Sequence, residues 1–586
     1  MNEQKNLILA IVLSAVVLFG WSAISERYFP TANPPATKIE DGKEVVIPKP
    51  GADPAADTIT AIRDRATVLG ETPRVPIRTD RLTGSINLTG ARIDDLVLTN
   101  YRETIAKGSP NIRLLSPSGS PKAYFAGFGW SGASGLPGPD TVWQAPQGAV
   151  LSVGKPVTLT SANAGGQSFA ITIAIDEDYM FTVTQRVTNG GTQALVARPY
   201  GLVSRVGAST DPDSWTAHVG PMGVFDDRVN DVNWEDVREA ANRTMDFTST
   251  GGWLGFSDKY WLTALVAGKG TPIEASFRQS SGDRFQADAA GKPAIVGPGQ
   301  AASSSMRLFA GAKETALLDH YMDDTGVPLF DRAIDWGWFD FIAKPIFYLL
   351  DWLFRMFGNF GVAIIGLTVI VRILLFPIAN KQFASMARMR QIQPRMKAIQ
   401  ERHKEDKLRM QQEMMALYKT EKVNPMAGCL PILLQIPIFY ALYKVLLLTI
   451  EMRHQPFVLW IRDLSAPDPM TPLNLFGLLD FTPPQFIAIG VLPILLGITM
   501  WLQQKLNPQP MDEIQAKVFG IMPWIFMFIM APFAAGLQLY WTVNNIISIG
   551  QQYVLIRKHP APAADTVIEA TATPAPAPTR PARRKK

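Results

Sequence analysis

Residues 361–377, GVAIIGLTVIVRILLFP, make an apolar run with a single charge, Arg372, inside it. With its flanks the run is long enough to cross a hydrocarbon core, which takes about 20 apolar residues. A guanidinium near the middle of such a span costs at least ~2.5–3.5 kcal/mol on the most lenient insertion scale. It therefore faces protein or a water-filled cavity, not lipid. Thr368 stands one turn earlier on the same helical face.

Five further apolar runs, 7–24, 426–450, 486–502, 518–533 and 537–556, bring the candidate spans to six. Mean hydropathy is nonetheless barely positive, so a large water-exposed part accompanies them. The first run follows Lys5 and no small-x-small cleavage site stands out, so it reads as a retained anchor, 1–25. Segment 379–425 holds eleven basic residues against five acidic ones, a net +6 that exceeds the +5 of the whole chain. The positive-inside rule puts it in the cytoplasm, and counting spans outward from it leaves both termini inside and residues 25–357 outside. One cysteine excludes an intrachain disulfide, and the five histidines lack ligand spacing, so no metal or other cofactor is expected.

A Pro/Ala-rich linker, 26–62, precedes a region of period-two alternation that is expected to form a large antiparallel β-sandwich, 63–335 with its connecting segment. Phe169, Ile171, Ile173 and Ile175, a turn at Asp176–Asp178, then Phe181, Val183 and Val187 predict one of its hairpins. The aromatic cluster at 251–261 reads as sandwich core, because aromatics supply the largest buried area per residue; exposed, it would stack on a sugar or a partner chain. No catalytic constellation is visible in this region, and no enzyme activity is expected.

Residues 336–357 predict an amphipathic helix flat in the outer interface, kinked at Pro345. Asp340, Lys344, Asp351 and Arg355 line one stripe, a spacing that permits two i,i+4 ion pairs. Such a helix either braces the spans or anchors the sandwich. In 379–425, Met386, Met389, Ile392, Met396 and Ile399 mark one helical face and Met410, Met414 and Leu417 another, giving an antiparallel helical hairpin. Its methionines either form a pliable receptor surface or zip the two helices together. The tail, 557–586, reads as disordered. It ends in Arg583, Arg584, Lys585 and Lys586, a cluster suited to ribosomal RNA or to anionic lipid.

The run KVNPMAGCLP at 422–431, LQIPIF at 434–439, QPFVLWIRDLS at 455–465, Arg372 with Phe376-Pro377, and QEMMALY at 412–418 resemble the YidC/Oxa family of membrane protein insertases. The likeness is strong over 336–552 and weaker over the sandwich, and it is to the Gram-negative members with a large periplasmic domain. It implies a five-span insertase core within 358–556 in a bacterial inner membrane, with the first span as an added anchor. It also implies a hydrated groove around Arg372, to which Thr368 and Gln435 match as polar positions. Gln538, Trp541, Thr542 and Asn545 share a face by their spacing and are expected to complete the lining. Nascent membrane protein clients, lipid and the Sec translocon are the implied partners, with the ribosome a candidate for the tail. One departure is Tyr540-Trp541, where relatives tend to carry two tyrosines.

No nucleotide is needed, since burial of the client helix drives completion, and no GxxxxGK[ST] loop contradicts this. No small-molecule substrate is expected. No candidate span interior offers Arg372 a carboxylate, which argues against a bridging role. A solute transporter or channel would also use an intramembrane arginine, but no internal repeat of spans is visible. A membrane-tethered carbohydrate-binding protein would instead act through the sandwich.

Overall fold

The computed structural model describes residues 37–40, 43–46, 62–209, 217–280, 283–421, 430–477, 479, 488–506 and 513–558. The anchor expected at 7–24, the KVNPMAGC stretch from Lys422 to Cys429 and the basic tail lie outside the described residues. Within the linker, Thr37–Glu40 pairs with Lys43–Val46 as a short antiparallel ribbon.

Two antiparallel sheets form the sandwich. One runs edge to edge through Arg228–Asp231, Gly220–Phe225, Trp253–Ser257, Trp261–Val266, Ala301–Ala312, Met180–Asn189, Gln167–Ile175 and Val157–Ala162. The other runs through Thr244–Thr250, Pro272–Ser280, Arg284–Ala290, Leu195–Val206, Tyr124–Gly132, Arg92–Arg102, Leu82–Asn87 and Arg74–Arg78. The expected hairpin is present, with Phe181 opposite Ile175, Val183 opposite Ile173 and Val187 opposite Phe169. Its turn is made by the Asp176 carboxylate, which accepts from the backbone of Asp178 (2.9 Å) and Met180 (3.0 Å).

The aromatic cluster is interior. Trp253 is fully buried, donates from Nε1 to the Pro328 carbonyl (3.0 Å) and meets Phe330 edge-on, while Phe256 stacks on Trp234. Gly251 and Gly252 carry the chain from one sheet to the other with φ of +89° and +95°. A Cβ on Gly252 would lie 2.0 Å from the Val224 carbonyl oxygen, so no other residue fits there.

Ten helices are described. Two short ones, α1 (Arg65–Gly70) and α2 (Trp234–Glu239), belong to the sandwich, and α3 (Thr315–Asp323) leads out of it. Then follow α4 (Asp340–Phe357), α5 (Phe360–Arg402), α6 (Lys407–Thr420), α7 (Leu430–Leu448), α8 (Val491–Leu506), α9 (Glu513–Met530) and α10 (Ala535–Lys558). Among the described residues one stretch, Phe360–Asn380, is long and apolar enough to cross a membrane, and Gln435–Leu448, Val491–Leu506 and Lys517–Met530 are shorter apolar helices.

Helix α4 is amphipathic and remains helical through Pro345. Its buried face packs on α5 and α7. Of the two expected ion pairs only Asp351–Arg355 forms (2.8 Å). Lys344 instead pairs with Asp331 and with Asp319, and Asp340 with Arg332. Carboxylates brought in by the fold lie within reach, so the i,i+4 geometry does not decide the partner.

These bonds belong to a junction that joins sandwich and bundle in one continuous core. Lys444, buried on α7, donates to the Asp335 carboxylate (2.8 Å) and backbone carbonyl (3.0 Å). Tyr260 donates to the Leu447 carbonyl (3.3 Å). Glu451, just past α7, accepts from the Thr315 N–H at the start of α3 (2.9 Å), while its Oε2 is buried with no partner among the described residues. Burial pushes the Glu451 carboxyl up to about 7, with the nearby Glu314 carboxylate adding to the effect.

Gly252→Ala is expected to destabilise the sandwich by about 2–4 kcal/mol through the forced clash and the positive φ; an unfolding midpoint within error of wild type would refute this. Because Glu451 is an acid with a raised folded value, its contribution is fullest below its unfolded value near 4.5 and is lost as pH rises through about 7. The full swing is at most about 3 kcal/mol. The thermal midpoint of the full chain in detergent should therefore fall between pH 5 and pH 8, and Glu451→Gln should flatten that slope; equal slopes would count against the assignment.

Candidate functional site

Helix α5 is anchored at its start. Asn359 caps it by accepting from the Val362 N–H (3.1 Å), Phe354 stacks on Phe360 at 3.8 Å, and Gly361 lies so close to the Phe457 ring that a Cβ would sit 1.9 Å from it. Arg372 follows about 18 Å further along the helix. It is half-buried, with the apolar side chains of Val369, Ile373 and Phe376 exposed around it.

The guanidinium is held from α10 by one residue. Arg372 Nε donates to Asn544 Oδ1 (2.7 Å) and one Nη donates to the Asn544 carbonyl (3.2 Å). Ser548 Oγ donates to the same carbonyl (2.7 Å). One turn towards the start of α10, the buried Tyr540 accepts from Gln435 Nε2 of α7 (2.7 Å). Tyr540, Asn544 and Ser548 thus form an i, i+4, i+8 polar stripe, and Arg372 and Gln435 converge on it. Among the described residues no carboxylate pairs with Arg372, so its charge is hydrogen-bonded without being neutralised.

The other expected lining residues are distributed differently. Thr368 is fully buried and donates to the Ile364 carbonyl of its own helix (2.7 Å). Gln538 donates to the Met530 (2.9 Å) and Phe533 (2.8 Å) carbonyls, satisfying the end of α9. Trp541 stacks on Phe439 of α7 (4.3 Å) and meets Phe526 of α9 edge-on (4.5 Å). Asn545 donates to Thr499 of α8 (3.3 Å). Thr542 is buried, and its hydroxyl has no partner among the described residues.

Asn544 is the residue that sequence reasoning missed, by choosing the neighbouring stripe. Its signal was the four-residue spacing to Tyr540 and Ser548. Lys444 was missed because its partner, Asp335, lies outside every candidate span.

Helix α10 packs closely on α5 and α8, whereas α7 touches α5 and α10 only lightly. Arg372, Gln435 and Tyr540 sit where α5, α7 and α10 meet, with Tyr540 fully buried. On α7 to α10, Ile436, Ile498, Trp524, Phe528 and Ile546 are exposed, as apolar side chains in contact with lipid or another apolar partner would be.

Beyond Arg372, α5 continues without a break through Pro377 and Pro394 into the first arm of the hairpin, and α6 is the second arm. Ile392 and Met396 are buried between the arms, with Met389, Met414, Leu417 and Tyr418 packed on them, and Arg395 pairs with Glu421 (2.7 Å). These methionines zip the hairpin. Met410 is half-buried and Met415 is exposed; the side chain of Met386 lies outside the described residues.

Residues 352–562 match the family model described as 60Kd inner membrane protein, and residues 74–349 match that of the YidC periplasmic domain. The chain is 49% identical to the membrane protein insertase YidC of Zymomonas mobilis, over 96% of each sequence. It is 44% identical to that of Rhizobium etli, over 95% of this chain and 96% of the relative. A crystal structure of an active YidC insertase with its first transmembrane domain resolved aligns with a TM-score of 0.35 at 18% identity, covering 82% of this chain and 94% of the other.

Asn544→Ala should destabilise the bundle by about 1–3 kcal/mol, since it removes a hydrogen bond to a charged group. Asn544→Asp should melt at or above wild type, because the new carboxylate pairs with Arg372. An Asn544→Ala midpoint at the wild-type value, read in detergent, would show that the contact carries no such energy, and an Asn544→Asp midpoint as low as that of Asn544→Ala would show that the carboxylate does not pair with Arg372.

Proposed function

Since the chain belongs to the YidC family of membrane protein insertases, and is an inner-membrane insertase with a periplasmic domain, we propose that Arg372 and the Tyr540–Asn544–Ser548 stripe form the polar surface over which a client's outer segment crosses the bilayer. The observation that carries this reading is the pairing of Arg372 with the Asn544 amide, and with no carboxylate among the described residues. A positive charge left un-neutralised at mid-span attracts acidic client residues and replaces part of the hydration they lose. A salt-bridged arginine would do neither.

The light contact of α7 with α5 and α10 offers the client an opening from lipid. The client enters beside Arg372 with its outer segment, and burial of its apolar helix against lipid then drives the transfer. Thr368, Gln435, Trp541, Thr542 and Asn545 line or support this groove, and Gln538 closes its outer end by holding the α9–α10 turn.

The chain spans the membrane six times with both termini in the cytoplasm, so the sandwich and α4 lie on the periplasmic side. Helix α4 braces α5 and α7 there. The hairpin receives clients on the cytoplasmic side through its exposed Leu408 and Met415 and its basic residues. The Arg583–Lys586 tail adds a salt-sensitive contact to the ribosome or to anionic lipid. The protein works alone or beside the Sec translocon.

Insertion of a short single-span client with an acidic outer segment, into proteoliposomes holding only this protein, tests the reading. Wild type and Arg372→Lys should protect the client from added protease. Arg372→Ala and Asn544→Asp should lower protection by about tenfold, a loss of roughly 1.4 kcal/mol. Equal protection in all four would refute the role of the free charge while leaving the insertase activity intact.

A further inference from the structure

A cleft of about 1050 Å³ opens where the sandwich meets the loop that follows α7. Arg102 and Lys107 line it from the end of one sandwich strand and the loop beyond, and Arg453 and Arg462 line it from the loop after α7. Against these four cations stands one carboxylate, Glu451. Arg453 is fixed in place, donating to the Glu103 carbonyl (3.2 Å) with its guanidinium over the Trp261 ring at 5.5 Å. Among the described residues Arg102, Lys107 and Arg462 form no ion pair, although each is able to reach solvent.

A second cleft of about 560 Å³ adjoins the first, sharing Thr104, Ile105, His454 and Arg462 with it. Its character is different: Trp460, Pro467, Pro469, Met470 and Phe476 supply apolar walls. Its two carboxylates are Glu103 and Asp463, and the latter turns towards His454 (3.9 Å). Cationic and apolar compartments therefore lie side by side, with Ile105 and Arg462 on their common wall.

We propose that this paired cleft is a binding site for an anionic phospholipid, its phosphate among Arg102, Lys107, Arg453 and Arg462 and the start of an acyl chain against Trp460, Met470 and Phe476. A phosphate fits the cation cluster by charge, and the site lies just beyond the outer end of α7, where the interface of an outer leaflet would fall. An acidic peptide would use the cationic compartment but leave the apolar one unexplained. The ligand is distinct from the client, and the site is remote in the chain from Arg372. Through it the lipid would fasten the sandwich to the membrane surface beside the bundle.

A photoreactive residue placed on the common wall, Ile105→p-benzoylphenylalanine, in the full chain reconstituted with phosphatidylglycerol or phosphatidylcholine, tests this by the mass of the labelled peptide. Phosphatidylglycerol adducts at position 105 should exceed phosphatidylcholine adducts by about tenfold. Adding Arg102→Ala, Lys107→Ala and Arg462→Ala should abolish that preference, while Arg102→Lys with Arg462→Lys should preserve it. Equal labelling by the two lipids, or a preference that survives the triple alanine variant, would overturn the proposal. So would loss of the adduct to millimolar inorganic phosphate, which would make this a site for free anion, or to an acidic peptide, which would make it a protein contact. Client insertion measured in the same proteoliposomes reads the Arg372 groove separately.

Discussion

An arginine in the middle of an apolar helix needs hydrogen-bond partners, and the identity of those partners decides what the helix can do. In this chain the partner is Asn544, through its side-chain oxygen and its backbone carbonyl. An amide satisfies donors without cancelling charge, so the field of Arg372 persists in a low-dielectric setting where it acts over a longer range than in water. The geometry of the bundle follows: α10 must lie close on α5 to supply Asn544, and its polar stripe must face inward. Helix α7 joins them at this level through the Gln435–Tyr540 bond and the stack of Phe439 on Trp541.

The same chain solves a different problem at the outer end of the bundle. Lys444, Lys344, Tyr260 and Glu451 tie the sandwich and its exit segment to α4, α7 and the loop beyond. Buried ion pairs of this kind contribute modest net stability but are costly to break on one side. They specify orientation more than they add strength. The sandwich is therefore seated on the bundle, and the cationic cleft above Ile450–Met452 arises only because the two parts meet there.

Much of the fold could be read from the chain. Alternation at Phe169–Ile175 and Phe181–Val187 specified a hairpin, which the structure contains; its register is held because one face of that sheet is buried and a one-residue slip would expose it. The density of aromatics at Trp253 and Phe256 signalled core for a similar reason. The hairpin methionines left two readings open, and packing decided for a zipped interface at Met389, Met396 and Met414. Ion pairing along α4 was misread at Lys344, since local spacing cannot see Asp319 and Asp331 arriving from elsewhere in the chain.

The sequence by itself determined that a charge sits inside an apolar span, that a large antiparallel sandwich precedes it and that a basic helical hairpin follows. These depend on periodicity and composition, which are local. Tertiary structure alone decided that Arg372 meets Asn544 and not the stripe of Gln538, Thr542 and Asn545, which share one face in sequence but serve the α9 end, the interior and α8. Helical spacing defines which residues lie on a common face; the rotation of that face toward a neighbour is set by packing against every other helix, and one step of about 100° moves the contact to the next residue.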